Sequence, residues 1–373
     1  MKERLLQLLA CPSCGADVRL ASVAESDGSR GWVEIVGGEL ACEGCARVFP
    51  VKRGVPRFAT AGEVGAEKAA TAENFGWQWQ HFTHEDEHYT EQFLRWIAPV
   101  APEFFAEKLV LEGGCGKGRH TRLAAGWGAR DVVGVDLSAA VETAYAATRD
   151  LANAHIIQAD IYNLPFKRAR FDYAFSVGVL HHLPDPRAGF VALSRHVRPG
   201  GHLSAWVYGA ENNEWITRFV SPLRERLTSR ISPKTLLHLS KIPTAALYAA
   251  TKLVYGPLNR RPATRAVARR LFYNDYLASL ARFGWREQHT IVFDHFVAPI
   301  SHYIPRDEFE SWWREIGAEE VTTGWHNSNS WRGLGRVGAD GRGRSAQTEL
   351  SVSAGAADAN ARPAVTAARG EER

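Results

Sequence analysis

Residues Leu109–His120, LVLEGGCGKGRH, decide how the rest of the chain is read. An apolar run ends in an acid, four glycines and a cysteine. Glycines bunched at the end of a strand let the backbone pass close to a bound group. A dinucleotide fingerprint needs G-x-G-x-x-G, but counting from Gly114 the third glycine position holds Arg119. A phosphate-binding Walker loop needs Lys followed by Ser or Thr, but Lys117 is followed by Gly118. Both phosphate readings fail on spacing. An acid and three alternate glycines remain: Glu112, Gly114, Gly116 and Gly118.

Downstream, strand-like and helix-like segments alternate. DVVGVDLS, HIIQAD, FDYAFSVGVLHHL and PGGHLSAWVYG read as strands, separated by helical stretches such as AAVETAYAATRDLA and DPRAGFVALSRHV. Such alternation calls for a largely parallel sheet covered on both faces, a doubly wound α/β fold. After an interruption over residues 210–304 the pattern resumes in PRDEFESWWREIG. Phe309, Trp312, Trp313 and Ile316 share one face of that helix, and two strand-like segments follow.

The E-x-G-x-G-x-G segment at the end of a first strand resembles the first motif of class I S-adenosylmethionine-dependent methyltransferases. That resemblance implies a cofactor with an ammonium, a carboxylate and a sulfonium but no phosphate, and it implies that Glu112 faces the ammonium directly or through water. It extends to Asp136, which lies 24 residues on and takes the place of the acid that holds both ribose hydroxyls. It also reaches Asp160, which would accept from the adenine amino group, and Ile161, whose amide would meet the ring. Leu137 and Val177 would complete the cofactor wall. The fourth-strand motif FDYAFSVGVLHHL and the following LSRHVRPGGHLSAW continue the resemblance, which spans residues 109–208 and resumes in 305–324.

Four of the five cysteines form two CxxC pairs, Cys11 with Cys14 and Cys42 with Cys45; Cys115 lies in the glycine loop. Paired CxxC knuckles separated by strand-like segments favour a tetrahedral zinc site over a redox pair. The run CPSC…ELACEGCARVFPVKRGVPRF resembles the small zinc ribbons typified by the activating subunit of eukaryotic methyltransferases, which implies a structural zinc. The expected organisation is a ribbon (1–58), a linker (59–75), a first core part (76–208), an insert (209–304), a second core part (305–337) and a disordered Ala/Gly/Arg/Ser tail (338–373). The aromatic patch FGWQWQHF, residues 75–82, reads either as a binding wall or as glue between segments.

Methyl transfer is an in-line displacement, so positioning supplies much of the rate. His181 and His182 follow the fourth strand where the family's site opens. They read as base candidates, or as residues that only shape the pocket. Tyr208 and the Asp294–His295 pair are weaker candidates. No Asn/Asp-Pro-Pro-Tyr sequence follows the fourth strand and no cysteine is free for catalysis, which argues against methylation of exocyclic base amines and of pyrimidine carbon 5.

Residues 215–270 hold twelve Lys/Arg and one acid, a local charge of +11 in a chain whose total is +4, so the remainder sums to −7. Basic and apolar residues mix here, which suits a lid, an anionic membrane surface or an amphiphilic substrate, or RNA phosphates. The favoured expectation is a small-molecule acceptor: a natural product, glycan or lipid-linked group. The alternative is RNA methylation at a guanine ring nitrogen, because a ribbon before such a core resembles bacterial enzymes with that activity. A catalytically inactive binding protein is a third reading. No uncharged apolar run reaches eighteen residues, and the expected location is cytoplasmic, with the membrane periphery as an option.

Overall fold

The computed structural model describes residues 1–59 and 64–338. Its N-terminal part is a four-stranded antiparallel sheet: β1 (Val18–Asp27), β2 (Glu34–Cys42), β3 (Val48–Lys52) and β4 (Val55–Pro56). Two helices follow, α1 (Ala66–His81) and α2 (Tyr89–Ile97). The alternating unit then runs β5 (Leu109–Gly113), α3 (Arg119–Gly126), β6 (Asp131–Asp136), α4 (Ala140–Thr148), β7 (Ala154–Gln158), β8 (Phe171–Val177), α5 (Pro186–Ser194) and β9 (Val197–Tyr208). Seven short helices make up the insert: α6 (Ser221–Arg226), α7 (Pro233–Leu239), α8 (Lys241–Ala250), α9 (Gly256–Arg260), α10 (Pro262–Ala268), α11 (Asn274–Leu280) and α12 (Trp285–Val297). The chain ends its described part with α13 (Arg306–Glu315), β10 (Ala318–His326) and β11 (Ser330–Val337).

The large sheet has the order β10-β11-β9-β8-β5-β6-β7. Its five central and edge strands from β9 to β7 are parallel, and β11 and β10 add antiparallel. All five residues of β5 are buried, as a strand covered on both faces requires. Chain order reverses between β5 and β8, so a crevice opens at their carboxyl ends, where α/β sheets bind ligands. Local signals place the helices. Asp185 caps α5 by accepting from the amide of Ala188 at 2.9 Å, with Pro186 in the first turn. Phe309, Trp312 and Trp313 of α13 are buried against β11, where a Cβ on Gly333 would lie 2.5 Å from the Trp313 ring.

One expectation about organisation changes. The segment read as a linker contains the first turns of α1, whose Lys68, Thr71 and Ala72 wall the main cavity. Its alanines and glutamates are good helix formers, and nothing in their order separates a docked helix from a tether. The insert leaves and returns at one place: the Ile304 amide donates to Tyr208 at 2.9 Å and the Ala210 amide to Ile304 at 3.0 Å. Among the described residues no helix is long and apolar enough to cross a membrane. The expected tail, apart from Gly338, lies outside the described residues.

Candidate active site

The cavity encloses about 260 Å³ between the glycine loop, α1, α11 and α12. The loop is pinned to β6, since the amides of Gly114 and Cys115 both donate to the Val135 carbonyl, at 2.7 and 2.9 Å. Gly116 has φ +50° and faces the cavity, and a Cβ there would sit 3.1 Å from Nε1 of Trp79. Gly114 also lines the cavity, but Gly118 packs its backbone on Ala144 and does not. The alternation therefore mixes two jobs, close approach to a ligand and close packing of α4.

Asp136 ends β6 in the cavity wall. Its Oδ1 accepts from the Ser138 amide at 2.8 Å and hydroxyl at 2.6 Å, and its Oδ2 accepts from the Gly116 amide at 2.9 Å. Burial pushes its pKa up. Leu137, Ile161 and Val177 line the same wall, beside Ser138 and Ala159. Glu112 and Asp160 stand outside it. Glu112 is buried behind the loop, where it accepts from Thr121 Oγ1 and from His120 Nδ1 at 3.1 Å. His120 accepts in turn from Arg119 Nε at 3.0 Å, so its Nδ1 carries the proton. Burial raises the Glu112 pKa to about 8. Glu112 thus stands behind the glycine loop, held by these partners and outside the cavity lining. Asp160 accepts from the Tyr162 amide at 2.9 Å and pairs with Lys68 of α1, whose ammonium lies 3.8 Å from the Tyr162 ring centre.

The two histidines part company. His182 lines the cavity, and its Nδ1 meets the Ile300 carbonyl at 2.8 Å, so that nitrogen holds the proton and Nε2 is left to accept. Burial lowers its pKa to about 4, so the ring is neutral at pH 7 rather than titrating there. His181 is fully buried outside the lining, its ring centre 4.0 Å from that of Tyr208 and both nitrogens without a hydrogen-bond partner. Burial likewise pushes its pKa well down.

Reading the sequence in order did not bring together the far end of the cavity. Gln78 of α1 donates to Asp294 Oδ1 at 3.1 Å, and the Tyr208 hydroxyl donates to Oδ2 at 3.4 Å. Burial pushes the Asp294 carboxyl up. Tyr276, Thr290 and Ile291 from the insert and Phe75, Trp79 and Trp206 from the core add ring faces and bulk. Glu287 of α12 locks this roof to the cofactor loop, accepting from Tyr89 and His84 and pairing with Arg119 at 4.0 Å.

Asp136, the Gly114–Gly116 backbone and the apolar wall of Ala159 and Ile161 suit a nucleoside-bearing cofactor without phosphates. In the ribbon the sulfurs of Cys11, Cys14, Cys42 and Cys45 lie within 4.8 Å of one another. The 3.7 and 3.4 Å contacts of Cys11 with Cys45 and Cys14 with Cys42 match thiolates around one zinc with Zn–S bonds near 2.3 Å. The amides of Gly44 and Cys45 point at Cys42 Sγ, as a thiolate ligand requires. Cys115 is buried apart.

Two family models match, a methyltransferase domain over residues 111–205 and a Trm112p-like protein over residues 2–54. The chain carries a class I S-adenosylmethionine-dependent methyltransferase domain behind an N-terminal zinc ribbon. Similar curated proteins include the tRNA U34 carboxymethyltransferases of Cellvibrio japonicus and Methylococcus capsulatus. The first is 32% identical over 131 residues, covering 34% of this chain and 40% of that one. The second is 35% identical over 110 residues, covering 29% and 32%. The chain thus spans less than half the length of these relatives. Among solved structures, a complex of the Haloferax volcanii Trm112 methyltransferase activator with a putative methyltransferase aligns with 72% of this chain and 97% of that one, at 14% identity and a TM-score of 0.42.

These relatives overturn the expectation of a small-molecule or amphiphilic acceptor and of an anionic membrane under residues 215–270, since they are named for a transfer RNA. In the insert Leu236 packs with Phe82 and Phe293 and Leu247 packs against Leu280 and Phe283, whereas Leu239, Ile242, Leu253 and Val254 stay exposed.

Proposed function

We propose that the chain transfers an alkyl group from a sulfonium cofactor to a nucleoside of transfer RNA. The observation that carries this reading is the set of similar tRNA U34 carboxymethyltransferases, 32% and 35% identical over 131 and 110 residues. Those names point to a uridine, so the guanine part of the RNA alternative is not carried forward. S-adenosylmethionine, when bound, supplies the electrophilic carbon.

The chain's own residues do the rest. Asp136 accepts from ribose hydroxyls, and the Gly114–Gly116 backbone admits the amino-acid moiety. Trp79, Phe75 and Tyr276 present ring faces that hold a base turned out of its stack. Asp294, buried and raised in pKa, is a stronger base than an ordinary carboxylate and takes the acceptor's proton, with Tyr208 and Gln78 fixing its orientation. Neutral His182 lines the space between the loop and Asp294 and shapes it. The roof formed by α1, α11 and α12 covers the cavity.

The test uses the full chain, unmodified tRNA and labelled S-adenosylmethionine, with nucleosides analysed by mass spectrometry after digestion. A modified uridine is the expected product. Label absent from RNA but recovered in a small acceptor overturns the reading. If uridine is labelled only when the cofactor carries a carboxylated methyl, the transferred group matches the relatives' name.

A further inference from the structure

Resting on the RNA reading above, we propose that the arginines of α9 and α10 form the ridge on which the RNA backbone docks to reach the cavity. Arg261 and Arg269 flank α10 at its two caps and Arg265 lies between them, so the three recur every four residues. That period puts them on one helical face, in a row of about 12 Å at 1.5 Å per residue. All three are exposed, as are Arg260 and Arg270. Among the described residues none of the five has an acidic partner within 4.0 Å, whereas Arg282, further on, pairs with Glu91. Like charges four residues apart destabilise a helix. Among the described residues no acid balances this row; a polyanion does.

The ridge is joined to the site. The Tyr255 hydroxyl donates to the Phe272 carbonyl at 2.8 Å, and the side-chain amides of Asn259 and Asn274 exchange hydrogen bonds of 2.8 and 3.2 Å. Asn274 opens α11, whose Tyr276, Ser279 and Leu280 line the cavity. Between ridge and α11 stands Tyr273 at φ +53°, a left-handed conformation that a bulky residue holds only when its surroundings fix it. Its hydroxyl donates to Asn213 Oδ1, and Asn213 is itself bonded to the carbonyls of Gly209 and Asn329 in the core. A strand laid on the arginines is therefore held at a fixed offset from the cavity mouth.

The experiment measures binding of an unmodified tRNA transcript against salt for the full chain and for two triple variants. One carries Arg261→Gln, Arg265→Gln and Arg269→Gln. The control carries Arg168→Gln, Arg170→Gln and Arg195→Gln, exposed residues at the opposite, N-terminal ends of β8 and β9. Each lost phosphate contact lowers the log–log salt slope by roughly 0.7–0.9, so the ridge variant is expected to lose about 2 in slope and at least tenfold in affinity at low salt. Its S-adenosylmethionine affinity should stay within twofold, and the control should bind as the parent does. Equal losses in both variants, or an unchanged slope in the ridge variant, overturn the ridge while leaving the RNA reading standing. A parent chain that binds anionic vesicles but no tRNA overturns both.

Discussion

At the scale of single residues, Asp136 and Asp294 show what a sequence makes visible and what it hides. Asp136 and Glu112 lie 24 residues apart within one strand–helix–strand unit, with the glycines between them, so spacing alone aligned them. Asp294 meets Gln78 across 216 residues of chain, through an insert whose packing no periodicity announces. Asp136→Ala is expected to weaken S-adenosylmethionine binding by about 1.5–3 kcal/mol, because hydrogen bonds to a charged acceptor are lost. Part of that loss will come from the freed Gly116 amide, so Asp136→Asn should cost less. Calorimetry on both variants checks this order. Asp294→Asn is expected to cut turnover by about 10²-fold or more, with cofactor affinity within twofold. Burial raises the Asp294 pKa, so a carboxylate that must be deprotonated to act loses rate as pH falls through that raised value. The parent's turnover should therefore climb with pH at values above the ordinary carboxylate range. The Asn variant should lack that limb; a retained limb assigns the proton to another group.

At the scale of elements, the alternating strands and helices were legible because buried β-branched runs and capped helices carry their own signals, as in β5 and α5. The role of α1 was not legible. Apolar and polar residues mix around it because one side faces the cavity through Phe75 and Trp79 while Lys68 reaches Asp160 and Asn74 reaches the Val297 carbonyl. A helix that touches neighbours on several sides has no single apolar stripe to find. The insert was legible as a basic segment but not as a wall of the site. Glu287 is the test of that wall. Burial opposes its charge, yet the hydrogen bond from His84, the nearby Arg119 and the Tyr89 hydroxyl together hold its pKa below the usual value. Glu287→Gln keeps an acceptor for His84 and Tyr89 but removes the charge that faces Arg119, a loss of at most about 3–5 kcal/mol for a broken buried pair. Thermal melts should show that loss. Added cofactor should recover less stability than in the parent, because Arg119 adjoins the glycine loop.

At the scale of the whole molecule, the ribbon and the methyltransferase core are one packed body. Met1, Leu5, Leu9, Ile35 and Leu40 share a continuous apolar cluster with Val133, Ile157 and Phe166. Backbone bonds cross the junction: the Phe58 amide donates to Gln158 at 2.8 Å, and the Ala10 amide to Pro165 at 2.9 Å. Lys2 Nζ donates to the Ala154 carbonyl at 2.7 Å. The ribbon thus covers β7, the outer strand of the large sheet, whose edge would otherwise stand open. Four cysteines announce a metal from their spacing, but spacing cannot say what the folded metal site leans on. Read alone, the ribbon predicts that Cys11→Ser unfolds only itself and spares cofactor binding. The shared core predicts the opposite. Residues Ala159 and Ile161, just past β7, wall the cofactor end of the cavity, so losing the ribbon should reach them. Zinc contributes folding energy directly, and losing even ~5 kcal/mol of it should lower the melting temperature by roughly 10 °C. In calorimetry, Cys11→Ser or zinc removal by a chelator should shift a single endotherm downward, and S-adenosylmethionine affinity should fall with it. Two separate endotherms, with the upper one and the affinity untouched, would show that the core stands without its ribbon.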